Sequence, residues 1–97
     1  MTRIDILVTR HPALVQLLRE MGLVGDDVQV IPHVTSPEQI RGRVVGGALP
    51  LHMAAEAEAI VSLDLSLRPE DRGRELTLDE LKERFVGVSI YKVTRIG

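Results

Sequence analysis

The residues best suited to chemistry in this sequence are Thr9, Arg10 and His11, which follow the apolar run Ile4–Val8 and precede Pro12. The run is typical of a buried strand, and a proline suits the first turn of a helix. In an open α/β sheet, anions bind where a strand ends facing a helix N-terminus. An arginine there holds phosphate through paired hydrogen bonds, and a histidine transfers protons near neutral pH. A capping Thr or His beside a solvated Arg is an equally good interpretation.

The same pattern returns at Gly46 and Gly47, which end a second apolar segment and lead into Ala48, Leu49 and Pro50. Two glycines allow a ligand to approach the backbone closely, so that peptide N–H groups receive a phosphate or a base edge. A plain tight turn is the commoner origin of such a pair. We expect this turn to lie beside the Thr9–His11 segment.

The remaining candidates lie at the start of the next helix and in a charged loop. His52 falls in the first turn of the helix after the glycine pair, although His52 and His33 are also typical of surface or capping histidines. Arg68, Arg72 and Arg74 lie in a loop that either folds over a bound anion or is neutralised by its own acidic residues. Those acidic residues are Glu70, Asp71 and Glu75.

Composition narrows the possible functions. Ninety-seven residues form one domain, 1–97, and a net charge of −2 gives no general attraction to long nucleic acid. Phe85 and Tyr91 are the two aromatic residues, too few for a base-stacking platform, and no cysteine is present. The three histidines share no metal-ligand spacing. We therefore expect neither a metal nor a cofactor, no membrane association in the absence of a long apolar run, and a soluble cytoplasmic protein.

Hydrophobic periodicity predicts an α/β chain of alternating strands and helices. Amphipathic spacing predicts a helix over 12–21, a short helix from Ser36, a helix over 50–59 rich in Ala, Glu and Met, and a helix opened by the Thr77–Glu80 capping box. The predicted strands are Ile4–Val8, Val28–Val34, Arg43–Gly47, Ile60–Leu67 and Val86–Thr94.

Alternation of strands and helices predicts a single Rossmann-like domain, with about five mostly parallel strands and helices on both faces. Two strand orders compete, 2-1-3-4-5 and 3-2-1-4-5. We favour the first, because its switch point lies between strands one and three, whose following turns hold the candidate residues.

Several segments, spread in order over nearly the whole chain, resemble the Csx-sixteen family of type III CRISPR-associated accessory proteins. The chain departs from that pattern at Ala48 and His52, where the family pattern has threonine and asparagine. The matching segments are Val8-Thr9-Arg10-His11-Pro12, Gly46-Gly47-Ala48-Leu49-Pro50, Ala54-Ala55-Glu56, Leu63-Asp64-Leu65, Arg72-Gly73-Arg74-Glu75-Leu76 and Tyr91.

The resemblance implies a homodimeric ring nuclease that degrades cyclic oligoadenylate, most simply cyclic tetra-adenylate, without a metal. It implies that Arg10 and His11 are catalytic. The implied ligand-binding residues are Thr9, Gly46, Gly47, Leu49, Pro50, His52, Arg72 and Arg74. Two alternatives stay open: a non-catalytic module that binds or sequesters a cyclic nucleotide, and a subunit that packs on other CRISPR proteins.

Overall fold

The computed structural model describes residues 3–97, so the first two residues of the predicted domain 1–97 lie outside the described residues. Five strands form one sheet in the order β2-β1-β3-β4-β5. Strands β1, β2, β3 and β4 run parallel to one another, whereas β5 is antiparallel to its neighbour β4. The strands are β1 (Ile6–Val8), β2 (Gln29–Ile31), β3 (Val44–Gly47), β4 (Ala59–Leu65) and β5 (Phe85–Tyr91). The favoured strand order and the mostly parallel α/β fold are thus confirmed.

Three α-helices connect these strands, with two single 3-10 turns at Pro37–Gln39 and Pro69–Asp71. The helices are α1 (Pro12–Glu20), α2 (Leu51–Ala54) and α3 (Leu78–Arg84). Thr77 caps α3 as the sequence predicts: its hydroxyl accepts a hydrogen bond from the Glu80 N–H, and the Glu80 carboxylate accepts one from the Thr77 N–H. No helix within residues 3–97 has the length and apolar character needed to cross a membrane.

Alternating side chains of β1 build two cores, one on each face of the sheet. Ile6 and Val8 pack with Ile40, Val45, Ala54, Ala57 and Ile60 on the α2 face. Leu7 packs on the opposite face with Leu18 of α1 and with Ile4, Leu23, Val24 and Val61. Burial of β1 on both faces explains its unbroken apolar sequence and fixes the end of this strand firmly.

The predicted helix over 50–59 is wrong in its length, because α2 ends at Ala54. The Gly42 N–H donates to the Glu56 carbonyl, and the Glu58 N–H donates to the Arg43 carbonyl. These hydrogen bonds turn the chain into β4, which begins at Ala59 beside β3. Tertiary pairing therefore overrides the helix propensity of Ala and Glu. The short helix predicted from Ser36 is present as a single 3-10 turn over Pro37–Gln39, with Ser36 at its N-cap.

Candidate functional site

A cavity of about 540 Å³ opens at the sheet edge where β1, β2 and β3 end. Arg10 and Gly47 both line it, which confirms the prediction that the turns after the first and third strands share a crevice. Seven predicted site residues lie along this cavity: Thr9, Arg10, His11, Gly47, Leu49, Pro50 and His52.

The Thr9–His11 segment is fixed by backbone hydrogen bonds. The Thr9 N–H donates to the Ile31 carbonyl of β2, and the Thr9 hydroxyl accepts a hydrogen bond from the His11 N–H at 3.1 Å. His11 is the N-cap of α1 in an extended conformation, followed by Pro12. The hydroxyl of Thr9 is therefore used to hold the turn, and Arg10 and His11 project from a backbone that is tied down on both sides.

Gly47 has a direct structural role at this edge. Its φ is +112°, and a Cβ atom on it would lie 2.2 Å from the carbonyl oxygen of Val8. The glycine therefore allows β3 to run close against β1 at the mouth of the cavity. Gly46, in contrast, is buried in the ladder between Leu7 and Val61, and its missing side chain makes room for Ile4 and Leu7. Gly46 does not line the cavity, so its predicted backbone contact with a ligand lacks support.

All three histidines of the chain line this cavity, because His33 joins His11 and His52 there. His33 was not predicted as a site residue, although it follows β2, the strand beside β1. The predicted strand order 2-1-3-4-5 could have identified it, because parallel neighbouring strands end at the same edge of the sheet. Among residues 3–97, no group of three or more potential ligands could hold a metal ion.

The charge of the cavity suits an anion. Within the described part of the chain, its lining includes Arg10 and the three histidines and no carboxylate. No side chain of residues 3–97 forms an ion pair with Arg10, whose guanidinium is exposed. A guanidinium without a protein partner at the carboxyl end of a parallel strand is available to bind phosphate.

The arginines that were predicted to fold over a bound anion do not line this cavity. Arg72 is exposed and lines a separate depression with Leu67, Arg68, Pro69 and Asp71. Arg74 donates to Asp71 at 3.1 Å and to Glu80 at 2.6 Å. Arg74 is therefore neutralised, as the second sequence interpretation proposed, although Glu80 of α3 takes the part expected of Glu70 and Glu75.

Asp71 and Arg84 form a buried ion pair that anchors this loop. Arg84 donates from Nε and Nη2 to the two oxygens of Asp71, at 2.6 and 3.0 Å, and their side chains are 5% and 2% exposed. Hydrogen bonds from Arg84, from the Arg68 N–H and from Arg74 hold the pKa of Asp71 well below its usual range. Arg74 and the Thr77 N–H lower the pKa of Glu80 from 4.5 to about 2. The pattern Asp71…Arg84 was not recognised in the sequence.

This network predicts acid-sensitive stability. Because the folded-state pKa of Glu80 is lowered, its contribution is complete above pH 4.5 and lost as the pH falls towards 2. We expect Glu80→Gln to lower the urea midpoint of unfolding at pH 7. Near pH 2 its midpoint should approach that of the wild type, because Glu80 is then protonated. Circular dichroism across this pH range measures the effect. Glu70→Gln, at an exposed position of the same loop, is the control and should match the wild type. An equal loss of stability in the Glu80 and Glu70 variants would contradict the stabilising role assigned to Glu80.

A second cavity, of about 240 Å³, lies on the other side of His11. The two cavities share His11 and Leu14. Glu75, from the anchored loop, places Oε1 3.9 Å from Nδ1 of His11, with side chains 62% and 60% exposed. This separation is too long for a hydrogen bond but close enough for an ion pair with a protonated imidazole. Glu75 therefore faces one ring nitrogen and leaves Nε2 for other contacts.

The comparisons with known proteins identify a family. A family model described as "Putative CRISPR-associated protein (Cas_VVA1548)" matches residues 6–94, which include every strand and helix. Neither a curated protein nor a solved structure matches the chain. Because the match covers nearly the whole domain, the chain belongs to the Cas_VVA1548 family of CRISPR-associated proteins.

Proposed function

We propose that this CRISPR-associated protein is a metal-independent ring nuclease that degrades cyclic oligoadenylate and so switches off type III antiviral signalling. The observation that carries the proposal is the cavity at the ends of β1 and β3, where Arg10 and His11 meet the close backbone approach at Gly47. The resemblance to the Csx-sixteen family supplies the substrate class. The absence of carboxylates from the described lining favours an anionic ligand.

The reaction requires alignment and charge stabilisation more than a cofactor. A ribose 2′-oxygen attacks the adjacent phosphorus, the bond from phosphorus to the 5′-oxygen breaks, and a 2′,3′-cyclic phosphate and a 5′-hydroxyl result. The proton of the 2′-hydroxyl leaves to a base, and the departing 5′-oxygen receives a proton. Holding the 2′-oxygen in line and stabilising the phosphorane charge supply most of the acceleration.

We assign Arg10 to the phosphate and His11 to proton transfer. The parallel N–H groups of an arginine match two phosphate oxygens. Its positive charge stabilises the transition state, in which negative charge develops on the phosphate. Nδ1 of His11 faces Glu75, so Nε2 is the nitrogen that gives or takes the proton. Leu49 and Pro50 line the same cavity, and His33 and His52 add further donors.

We also propose that the protein acts as a homodimer. Cyclic tetra-adenylate has repeated identical units, so a two-fold dimer presents the same residues twice around one ring. Sedimentation equilibrium of the purified protein measures this directly, and a monomer at all concentrations would contradict it.

The test is a product assay. Purified protein is incubated with cyclic tri-, tetra- or hexa-adenylate in EDTA, and the products are identified by mass. We expect linear products that end in a cyclic phosphate, most rapidly from cyclic tetra-adenylate. Intact ligand over hours would exclude the metal-free nuclease. Calorimetry on the same sample then separates the alternatives: saturable binding indicates a sequestering module, and no binding indicates a protein-interaction subunit.

A further inference from the structure

We propose that the second cavity is a nucleobase subsite, which receives one adenine of the cyclic oligoadenylate while the adjoining phosphate lies at Arg10. This inference rests on the proposed function and deepens it. The family match does not assign this cavity, and the sequence motifs point only to His11 and Arg74 among the residues that line it.

Five of the eight residues that line the subsite are leucines, and they come from several separate elements. Leu14 belongs to α1, Leu65 to the end of β4, Leu81 to α3, and Leu67 and Leu76 to the loop between β4 and α3. The volume of about 240 Å³ far exceeds the roughly 30 Å³ share of one water molecule. An apolar cavity of this size suits a flat bicyclic base better than a phosphate, which needs donors on every side.

One side of the subsite offers a rigid polar surface. Arg74 and Asp71 line it, and the Arg74 guanidinium is held by Asp71 and Glu80 at 3.1 and 2.6 Å. RNA bases stack on guanidinium planes, and a plane fixed by two carboxylates loses little freedom when a base covers it. This assigns to Arg74 a base contact in place of the predicted closure over a bound anion.

The two cavities meet at His11, which suits the covalent structure of a nucleotide. His11 and Leu14 line both cavities, so a base in one and a phosphate in the other have the ribose between them at His11. The 2′-hydroxyl belongs to that ribose. Occupation of the subsite therefore brings the attacking oxygen towards the imidazole assigned to proton transfer.

The exposure of Leu67 supports the proposal that a base binds in the second cavity. Leu67 is 59% exposed although it lines an apolar cavity, and a base seated there covers part of this surface. Burial of apolar area by a ligand is favourable by about 25 cal/mol per Å².

Leucine-methyl NMR tests the subsite directly. The probe is cyclic tetra-adenylate with every 2′-hydroxyl methylated, which cannot be cleaved by the proposed route. We expect ring-current shifts at the methyl groups of Leu65, Leu67 and Leu76, and unchanged signals from Leu23 in the core behind α1. Shifts confined to Leu49 and the phosphate cavity would overturn the subsite.

A matched pair of variants gives the functional test. Leu67→Asp places a carboxylate at the exposed mouth of the subsite, and Ile96→Asp makes the same change at a residue 98% exposed near the chain end. We expect the first to raise KM roughly 10- to 100-fold, the range for losing one base contact, and the second to leave KM unchanged. Equal KM values in both variants would overturn the subsite.

The two proposals fail in different ways. Cleavage of the natural ring by the wild type, without shifts at Leu67 and Leu76, overturns the subsite and leaves the nuclease standing. Shifts at these leucines without any cleavage support the subsite and overturn the nuclease. Neither shifts nor cleavage overturns both.

Discussion

Replacing His11 by alanine is expected to slow cleavage of cyclic tetra-adenylate by roughly 10²- to 10⁴-fold, the usual loss when a general acid or base is removed. The affinity for the uncleaved ring should change much less, because Arg10 and the backbone at Gly47 remain. Single-turnover kinetics measures the first quantity and calorimetry the second. Equal cleavage rates in the variant and the wild type would remove His11 from the mechanism.

Arg10→Ala is the companion change and separates the two assigned roles. We expect it to weaken binding by about 10- to 100-fold, as for a lost hydrogen bond to a charged group, and to slow cleavage as well. Arg43→Ala is the matched control, since Arg43 is also exposed but precedes β3, at the opposite edge of the sheet. If both arginine variants lost binding equally, a general charge effect would replace the local phosphate contact.

Gly47→Ala is expected to lower the free energy of unfolding by roughly 2–6 kcal/mol. About 1–3 kcal/mol comes from a side chain at positive φ, and about 1–3 from overpacking against the Val8 carbonyl. A new Cβ atom only 2.2 Å from that carbonyl oxygen also forces β1 and β3 apart at the mouth of the cavity. Urea unfolding followed by circular dichroism measures the loss.

Two other glycines separate these causes. Gly42 has a φ of +70°, and a Cβ atom added there would meet nothing within 4 Å, so Gly42→Ala should cost only about 1–2 kcal/mol. Gly87 in β5 has open space around it and no positive φ, so Gly87→Ala should stay within about 0.5 kcal/mol of the wild type. A Gly47 variant as stable as the Gly87 variant would contradict the close approach of the two strands.

Local sequence patterns were sufficient to predict the part of the site that is formed by the ends of strands. The apolar run before Thr9, the proline after His11 and the repeated pattern at Gly47 predicted both the strand order and the shared cavity. These signals work because parallel strands must end at one edge, so residues distant in sequence are brought together by topology alone. His33 was missed only because the same rule was not applied to β2.

The direction of β5 needed information that no single segment contains. After β4 the chain passes through the charged loop and α3, and the Arg84 carbonyl at the end of α3 accepts a hydrogen bond from the Ser66 N–H, just beyond the end of β4. Phe85 follows directly and pairs with Leu65, the last residue of β4. The chain therefore re-enters the sheet at the edge it has just left and runs back antiparallel.

The role of the charged loop also depended on long-range contacts. The sequence shows alternating charges from Arg68 to Glu75 but not which residues they meet. Arg84 lies thirteen residues beyond Asp71 and is nevertheless its closest partner. The capping box predicts where the helix begins, and only packing reveals that the guanidinium of Arg84 at its end is buried.

The antiparallel edge strand limits how two copies of the chain can share one ligand. Strand β5 is the outermost strand on one side of the sheet, and it exposes Val86, Val88 and Ile90. If β5 paired antiparallel with its own two-fold copy, the strands of one protomer would run opposite to those of the other, and the two Arg10 cavities would open in opposite directions. Such an assembly would hold two independent ligands. Enclosure of a single ring between protomers requires instead that the copies face each other across the ends of β1 and β3.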